Sequence, residues 1–190
     1  MARAQFDREE VLDKVIQLFW KKGYSASSMQ EVVRVTGLKP GSIYLSFTNK
    51  EGLFREALER YAQKRKQQLQ TLLDGAPSVG EGICTFFEQI VLETSNTNYT
   101  SCFLVKTLLE MTREKNNLKN LAAAKLAEVE SLFCRYLEKE YPREISRDRA
   151  SSIMLHIFGV RVYGYRQDSA EQIRRGLRQG LPWLPWPGRV

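Results

Sequence analysis

Gly37-Leu38-Lys39-Pro40-Gly41-Ser42-Ile43-Tyr44-Leu45-Ser46-Phe47-Thr48-Asn49-Lys50 is the stretch whose reading decides the fold. A glycine suited to the left-handed position that closes a helix is followed by a short turn and a proline. The proline's missing N–H costs nothing at the first position of a new helix. The helix so opened is short and ends near Phe47, and another begins at Asn49, a good cap. Upstream, Ser27 and Gln30 have capping-box spacing and open a short helix bearing Met29, Val32 and Val33, which Gly37 closes. Before it, Asp7 with Glu10 opens a longer helix whose Val11, Val15, Leu18 and Phe19 recur at helical spacing and which Gly23 ends. One longer and two short helices across a glycine turn make a helix-turn-helix, whose last member is sized for the DNA major groove. Ile43 and Phe47 join its core, while Lys39, Ser42, Tyr44 and Ser46 stay polar on the other face. A three-helix packing unit with no role on DNA satisfies the same pattern.

Further along, every segment again reads as helix. The Asn49 helix runs to Leu73 and is interrupted by Gly75, Ala76 and Pro77. Others are expected over Val79 to Glu93, Ser101 to Glu114 and Asn117 to Glu140. Another is capped by Ser146 and reaches Arg166, and a last one, opened by Ser169 with Gln172, stops at Pro182. The Pro- and Trp-rich tail from Pro182 to Pro187 cannot be helical. The predicted fold is therefore all-α with about nine helices. An N-terminal three-helix domain (1–48) carrying the helix-turn-helix precedes a larger helical domain (49–190), linked through helix 49–73.

Charge points the same way. The formal net charge is +7, and up to Gln70 Lys and Arg outnumber Asp and Glu by 13 to 8, against 16 to 14 thereafter. The basic excess thus sits in the part expected to meet a polyanion. No apolar run is long enough for a membrane helix. The first ten residues, charged and without an apolar run, do not read as a signal peptide, so a cytoplasmic location is expected. Cys84, Cys102 and Cys134 have neither disulfide-framework nor zinc-site spacing. With a single histidine and no glycine loop, metal set or nucleophile elbow, neither a cofactor nor an enzymatic reaction is expected. A helical enzyme and an interaction scaffold that ignores DNA are the alternatives.

The run from Gly37 to Phe54, with Gly23-Tyr24 and Ser27-Ser28-Met29 before it, closely resembles the signature of the TetR family. Lys39 departs from it, standing where many members place a capping Ser or Thr. The resemblance implies a transcriptional regulator, most simply a repressor, released from a palindromic double-stranded DNA operator by a small-molecule or electrophilic effector. It implies phosphate contacts from Tyr44, Lys50, Ser27 and Ser28, and base-edge contacts from Lys39, Pro40, Gly41 and Ser42. Arg3 and Arg8 are candidates for further phosphate or minor-groove contacts.

It also implies that 1–48 is the DNA-binding domain and 49–190 a regulatory domain for ligand sensing and dimerisation, forming a homodimer through the last two helices. Two apolar stripes are compatible with that: Ala150, Ile153, Met154, Ile157 and Phe158 on one helix, and Ala170, Ile173, Leu177 and Leu181 on the other. Ser151 and Gly159 would allow close approach; an intrachain core is the alternative. Sensor candidates are Cys102, Phe103, Thr107, Met111, Phe87 and His156. Cys102 stands out because an expected helix start and Lys106 would both favour its thiolate. The segment Ser101 to Lys106 resembles one found in electrophile- and oxidant-responsive members of the family.

Overall fold

A computed structural model describes residues 6–111 and 117–188; Arg3 and the expected helix end at Glu114 lie outside them. Among the described residues there are nine helices and no strand. They are α1 (Arg8–Lys22), α2 (Met29–Thr36), α3 (Pro40–Phe47), α4 (Lys50–Gly75), α5 (Val79–Thr94), α6 (Phe103–Glu110), α7 (Asn117–Leu137), α8 (Arg143–Tyr163) and α9 (Ala170–Gly180). The all-α expectation holds.

Packing divides the chain into two compact units. The first comprises the described residues up to Lys64 together with those from Cys102 to Lys125. The second holds Arg65 to Ser101 and everything described from Leu126 onward.

An aromatic cluster centres the first unit. Phe54 of α4 lies 4.8 Å from Phe19, 5.1 Å from Tyr24 and 5.2 Å from Phe103, ring centre to ring centre. Phe103 in turn meets Tyr61 edge-on at 5.6 Å, in the tilted and edge-to-face arrangements that aromatic rings prefer. The helix-turn-helix is therefore built against two helices, α4 and α6, that lie beyond it in sequence.

In the second unit Ile83, Phe87, Phe133, Leu137 and Ile153 form the core. The tail is irregular, as its prolines require, and packs on this unit. Trp186 donates its indole N–H to the Leu181 carbonyl and stands 6.0 Å from Phe87. Trp183 and Tyr141 hold the Arg149 guanidinium between them, at 4.2 and 4.0 Å.

Several expected helix starts move. Ser28, not Ser27, caps α2, in a capping box with Glu31 rather than Gln30. α6 starts at Phe103, so Cys102 is its N-cap residue and not part of its first turn. α8 starts at Arg143, and Ser146 is buried inside it, its hydroxyl donating to the Tyr141 carbonyl. Ser169 does precede α9, but its side chain makes no capping bond.

Of the two expected apolar stripes, Ala150, Ile153, Met154, Ile157, Ile173, Leu177 and Leu181 are buried within the chain itself, and Phe158 and Ala170 are half-buried. A second row on α8, Leu155, Gly159, Val162 and Tyr163, faces solvent instead.

Candidate nucleic-acid interface

α1 is fixed by ion pairs to α4. Arg8 reaches Glu56 at 2.6 Å and stacks over the Phe47 ring at 4.3 Å, also donating to the Ser46 carbonyl. It thus ties α1 to the end of α3 and is engaged within the protein, rather than extended toward a phosphate. Asp13 accepts from Arg60 and Lys64, each at 2.8 Å. The Arg60 hydrogen bond, with help from Lys64, outweighs partial burial and holds the Asp13 carboxyl down at about 2.

α2 is anchored by the buried Val32 and begins at the exposed Ser28, whose capping partner Glu31 also pairs with Lys22 of α1. That lysine is the main reason Glu31 titrates as low as about 2. Ser27, the other serine expected at this end, is 3% exposed and donates its hydroxyl to the Gly23 carbonyl, so it does not reach the surface. Gly37 closes α2 in the left-handed region, at φ 70°, and its backbone N–H reaches the Val33 carbonyl.

Pro40 takes the first turn of α3 as expected, and Lys39 caps it without a side-chain bond. The buried Ile43 and Phe47 fix the roll of this helix. Lys39, Pro40, Gly41 and Tyr44 are consequently exposed, and Ser42 is half-buried. A Cβ on Gly41 would meet nothing within 4 Å, so the backbone there is bare. Leu45 is 91% exposed next to Tyr44. It is missing from the sequence-based set, and its only signal was an apolar residue off the core spacing of Ile43 and Phe47.

Lys50 opens α4 with its ammonium 4.3 Å above the Tyr24 ring. Burial lowers its pKa, while Glu110 and Glu31 pull the other way. Asn49 caps α4 by accepting the Gly52 N–H at 2.8 Å.

The six sensor candidates are divided between the two units. Phe103, Thr107 and Met111 belong to the first unit and are buried there, with the Thr107 hydroxyl donating to the Phe103 carbonyl. Cys102, in the same unit, is partly exposed. Phe87 is fully buried in the second unit, where His156 lines a groove between α8 and α9.

Residues 11–57 match the family model for bacterial regulatory proteins of the tetR family. The chain belongs to the TetR family. The transcriptional repressor ComR of Escherichia coli (strain K12) is 33% identical to this TetR-family chain over 135 residues, covering 70% of the chain and 64% of ComR. That match therefore spans less than two thirds of ComR's own length. The TetR-family regulator CifR, solved in a cysteine-substituted form with 26-bp double-stranded operator DNA, superposes with a TM-score of 0.81 and 26% identity. The superposition covers 98% of this chain and 100% of the CifR chain. Escherichia coli NemR in its reduced form shares the fold at a TM-score of 0.77 and 19% identity, over 95% of this chain and 98% of that one. The family assigned from the run between Gly37 and Phe54 is thus established. ComR is a transcriptional repressor and CifR a transcriptional regulator.

Proposed function

We propose that the chain is a sequence-specific DNA-binding repressor that occupies a palindromic operator as a homodimer and leaves it when a small molecule or electrophile binds. The observation that carries this reading is the edge of α3. Lys39, Pro40, Gly41, Tyr44 and Leu45 face solvent while Ile43 and Phe47 hold the helix from behind. A helix presented in this way fits the major groove, where Lys39 suits guanine acceptors and Leu45 suits a thymine methyl. The bare backbone at Gly41 admits close approach, and the half-buried Ser42 stands beside it. Ser28, Tyr44 and Lys50 suit phosphates, which set register without reading sequence. The operator complex of CifR, a chain of the same fold over its full length, supports this reading. Residues 1–48 then form the DNA-binding domain and 49–190 the regulatory domain, linked through helix 49–73. A cytoplasmic location fits that role; among the described residues no helix is long and apolar enough to cross a membrane.

Dimerisation through the last two helices is supported by a groove of about 540 Å³ between α8 and α9. Leu155, 73% exposed, stands at its edge. Gly159 and Gly176 line it with nothing within 4 Å of their Cβ positions. An exposed apolar row beside open glycine positions suits the close helix packing of a two-fold bundle. Cys102 at the start of α6 is the proposed point of attack for an electrophilic effector, since Phe103, Thr107 and Met111 are already packed.

Substitution separates the proposed roles. Lys39→Ala or Ser42→Ala should change which bases are preferred at one position of each half-site. Lys50→Ala or Tyr44→Phe should weaken all duplexes alike and, for Lys50, reduce the salt dependence by about one counterion. Binding profiles over a library of duplexes, measured at several salt concentrations, check both. An unchanged profile in the Lys39 and Ser42 variants would remove α3 as the reading element.

A further inference from the structure

The turn between α1 and α2 is not completed by the helix-turn-helix itself. α1 ends at Gly23, with φ 86°. The carbonyls at the end of α1 and the N–H groups just beyond it find partners on α6. Lys106 donates its Nζ to the carbonyls of Trp20 at 2.6 Å and Lys21 at 3.2 Å. Glu110 accepts from the N–H of Tyr24 at 3.0 Å and from that of Ser25 at 2.7 Å, one carboxylate oxygen for each.

Lys106 and Glu110 stand one helical turn apart, a spacing at which such side chains pair with each other. Here each takes backbone groups of the opposite polarity instead. A helix end leaves its last carbonyls without intrahelical partners, and charged partners make the stronger hydrogen bonds. A Cβ at residue 23 would lie 2.6 Å from a Glu110 carboxylate oxygen. The glycine therefore serves twice, allowing the positive φ and leaving room for the carboxylate.

Beyond the turn lies the proposed DNA-facing surface. Tyr24, its N–H held by Glu110, lays its ring beneath Lys50 and 5.1 Å from Phe54. Ser28 caps α2 three residues after Ser25. The support is itself anchored, because Phe103 at the start of α6 sits in the aromatic cluster with Phe54 and Tyr61.

We propose that Lys106 and Glu110 are positioning residues for DNA recognition. From outside the helix-turn-helix they hold the α1–α2 turn, and through it Tyr24, Lys50 and the start of α2, in the geometry that meets the operator. The inference rests on the DNA-binding reading above. It adds that operator affinity depends on two α6 side chains that do not touch DNA.

The test uses the full-length protein and a duplex selected with the wild type, with variants Glu110→Ala, Glu110→Gln and Lys106→Met. Glu110→Ala should bind the duplex about tenfold more weakly or worse, ~1.4 kcal/mol. Glu110→Gln, whose single amide oxygen can replace only part of the carboxylate, should fall between it and the wild type. In all three variants the slope of log affinity against log salt should stay as in the wild type, because no phosphate contact is lost; Lys50→Ala should lower it. Hydrogen exchange read residue by residue should quicken at Tyr24 and Ser25 in Glu110→Ala while the core of α1 and α4 keeps its protection.

Affinity in Glu110→Ala and Lys106→Met within about twofold of the wild type would overturn the proposal. So would a reduced salt slope in Lys106→Met, which would make that lysine a phosphate contact. Exchange that rises uniformly through the first unit would also overturn it, assigning these bonds to general stability. A wild type that selects no duplex at all overturns the DNA-binding reading first, which separates the two failures.

Discussion

Asp13 shows how a single residue ties α1 to α4. Its carboxylate takes hydrogen bonds from Arg60 and Lys64, both on α4, and titrates at about 2 instead of 3.8. A carboxyl depressed by folding adds stability that is complete above its unfolded value and disappears as pH falls through its folded value. The α1–α4 connection should thus weaken between pH 3.8 and about 2. Thermal melts across that interval should show a steeper loss for the wild type than for Asp13→Asn, which has no proton to gain there; parallel curves would mean that the pairs are too well solvated to matter. Glu31 titrates in the same range, so the variant should flatten the dependence only in part. Residue-level reading of the sequence worked where one residue type suits one backbone site, as with Pro40 and Gly37. It missed by one at Ser27 and Ser28, since two adjacent serines precede two adjacent capping partners. What chose between them, burial of Ser27 and the Lys22–Glu31 pair, is tertiary. Leu45 left only the weak signal of an apolar residue off the core spacing, and the backbone contacts of Lys106 and Glu110 left none, because an i,i+4 charge pair is common on solvated helices.

Among the elements, α8 separates what periodicity reveals from what it hides. It carries two apolar rows, and either one satisfies an amphipathic pattern. The row containing Ile153, Met154 and Ile157 is covered by its own protomer, whereas Leu155, Gly159, Val162 and Tyr163 are left to solvent. No sequence pattern says which row a partner covers. The two rows predict opposite outcomes on substitution. Leu155→Glu should leave helical content and melting nearly unchanged while halving the mass in light scattering, because a surface change away from core features costs little within the protomer. Ile157→Glu puts a charge in the core and should lower stability before it alters assembly. A Leu155→Glu variant that remains dimeric would place the interface elsewhere. Helix count and order were legible throughout because proline, glycine and cap residues punctuate the chain. The start of α8 was not, since Ser146 looks like a cap but is enclosed within the helix.

Across the whole molecule, function was more legible than the details of sensing. The helix-turn-helix depends on local signals at fixed spacing, and those are strongest between Gly23 and Phe54. Sensing depends on which side chains border a cavity, a property of packing that composition does not encode. Phe103, Thr107 and Met111 accordingly show only that they are buried, on α6 and at its end. The central claim is that this fold reads a palindromic DNA sequence, and selection from a pool of randomised duplexes with the purified protein tests it most directly. The expected result is enrichment of one inverted repeat, with half-sites about one helical turn or a multiple of it apart, and affinity that falls steeply with added salt. A folded, dimeric protein that enriches no sequence, or binds all duplexes equally at every salt concentration, would contradict it.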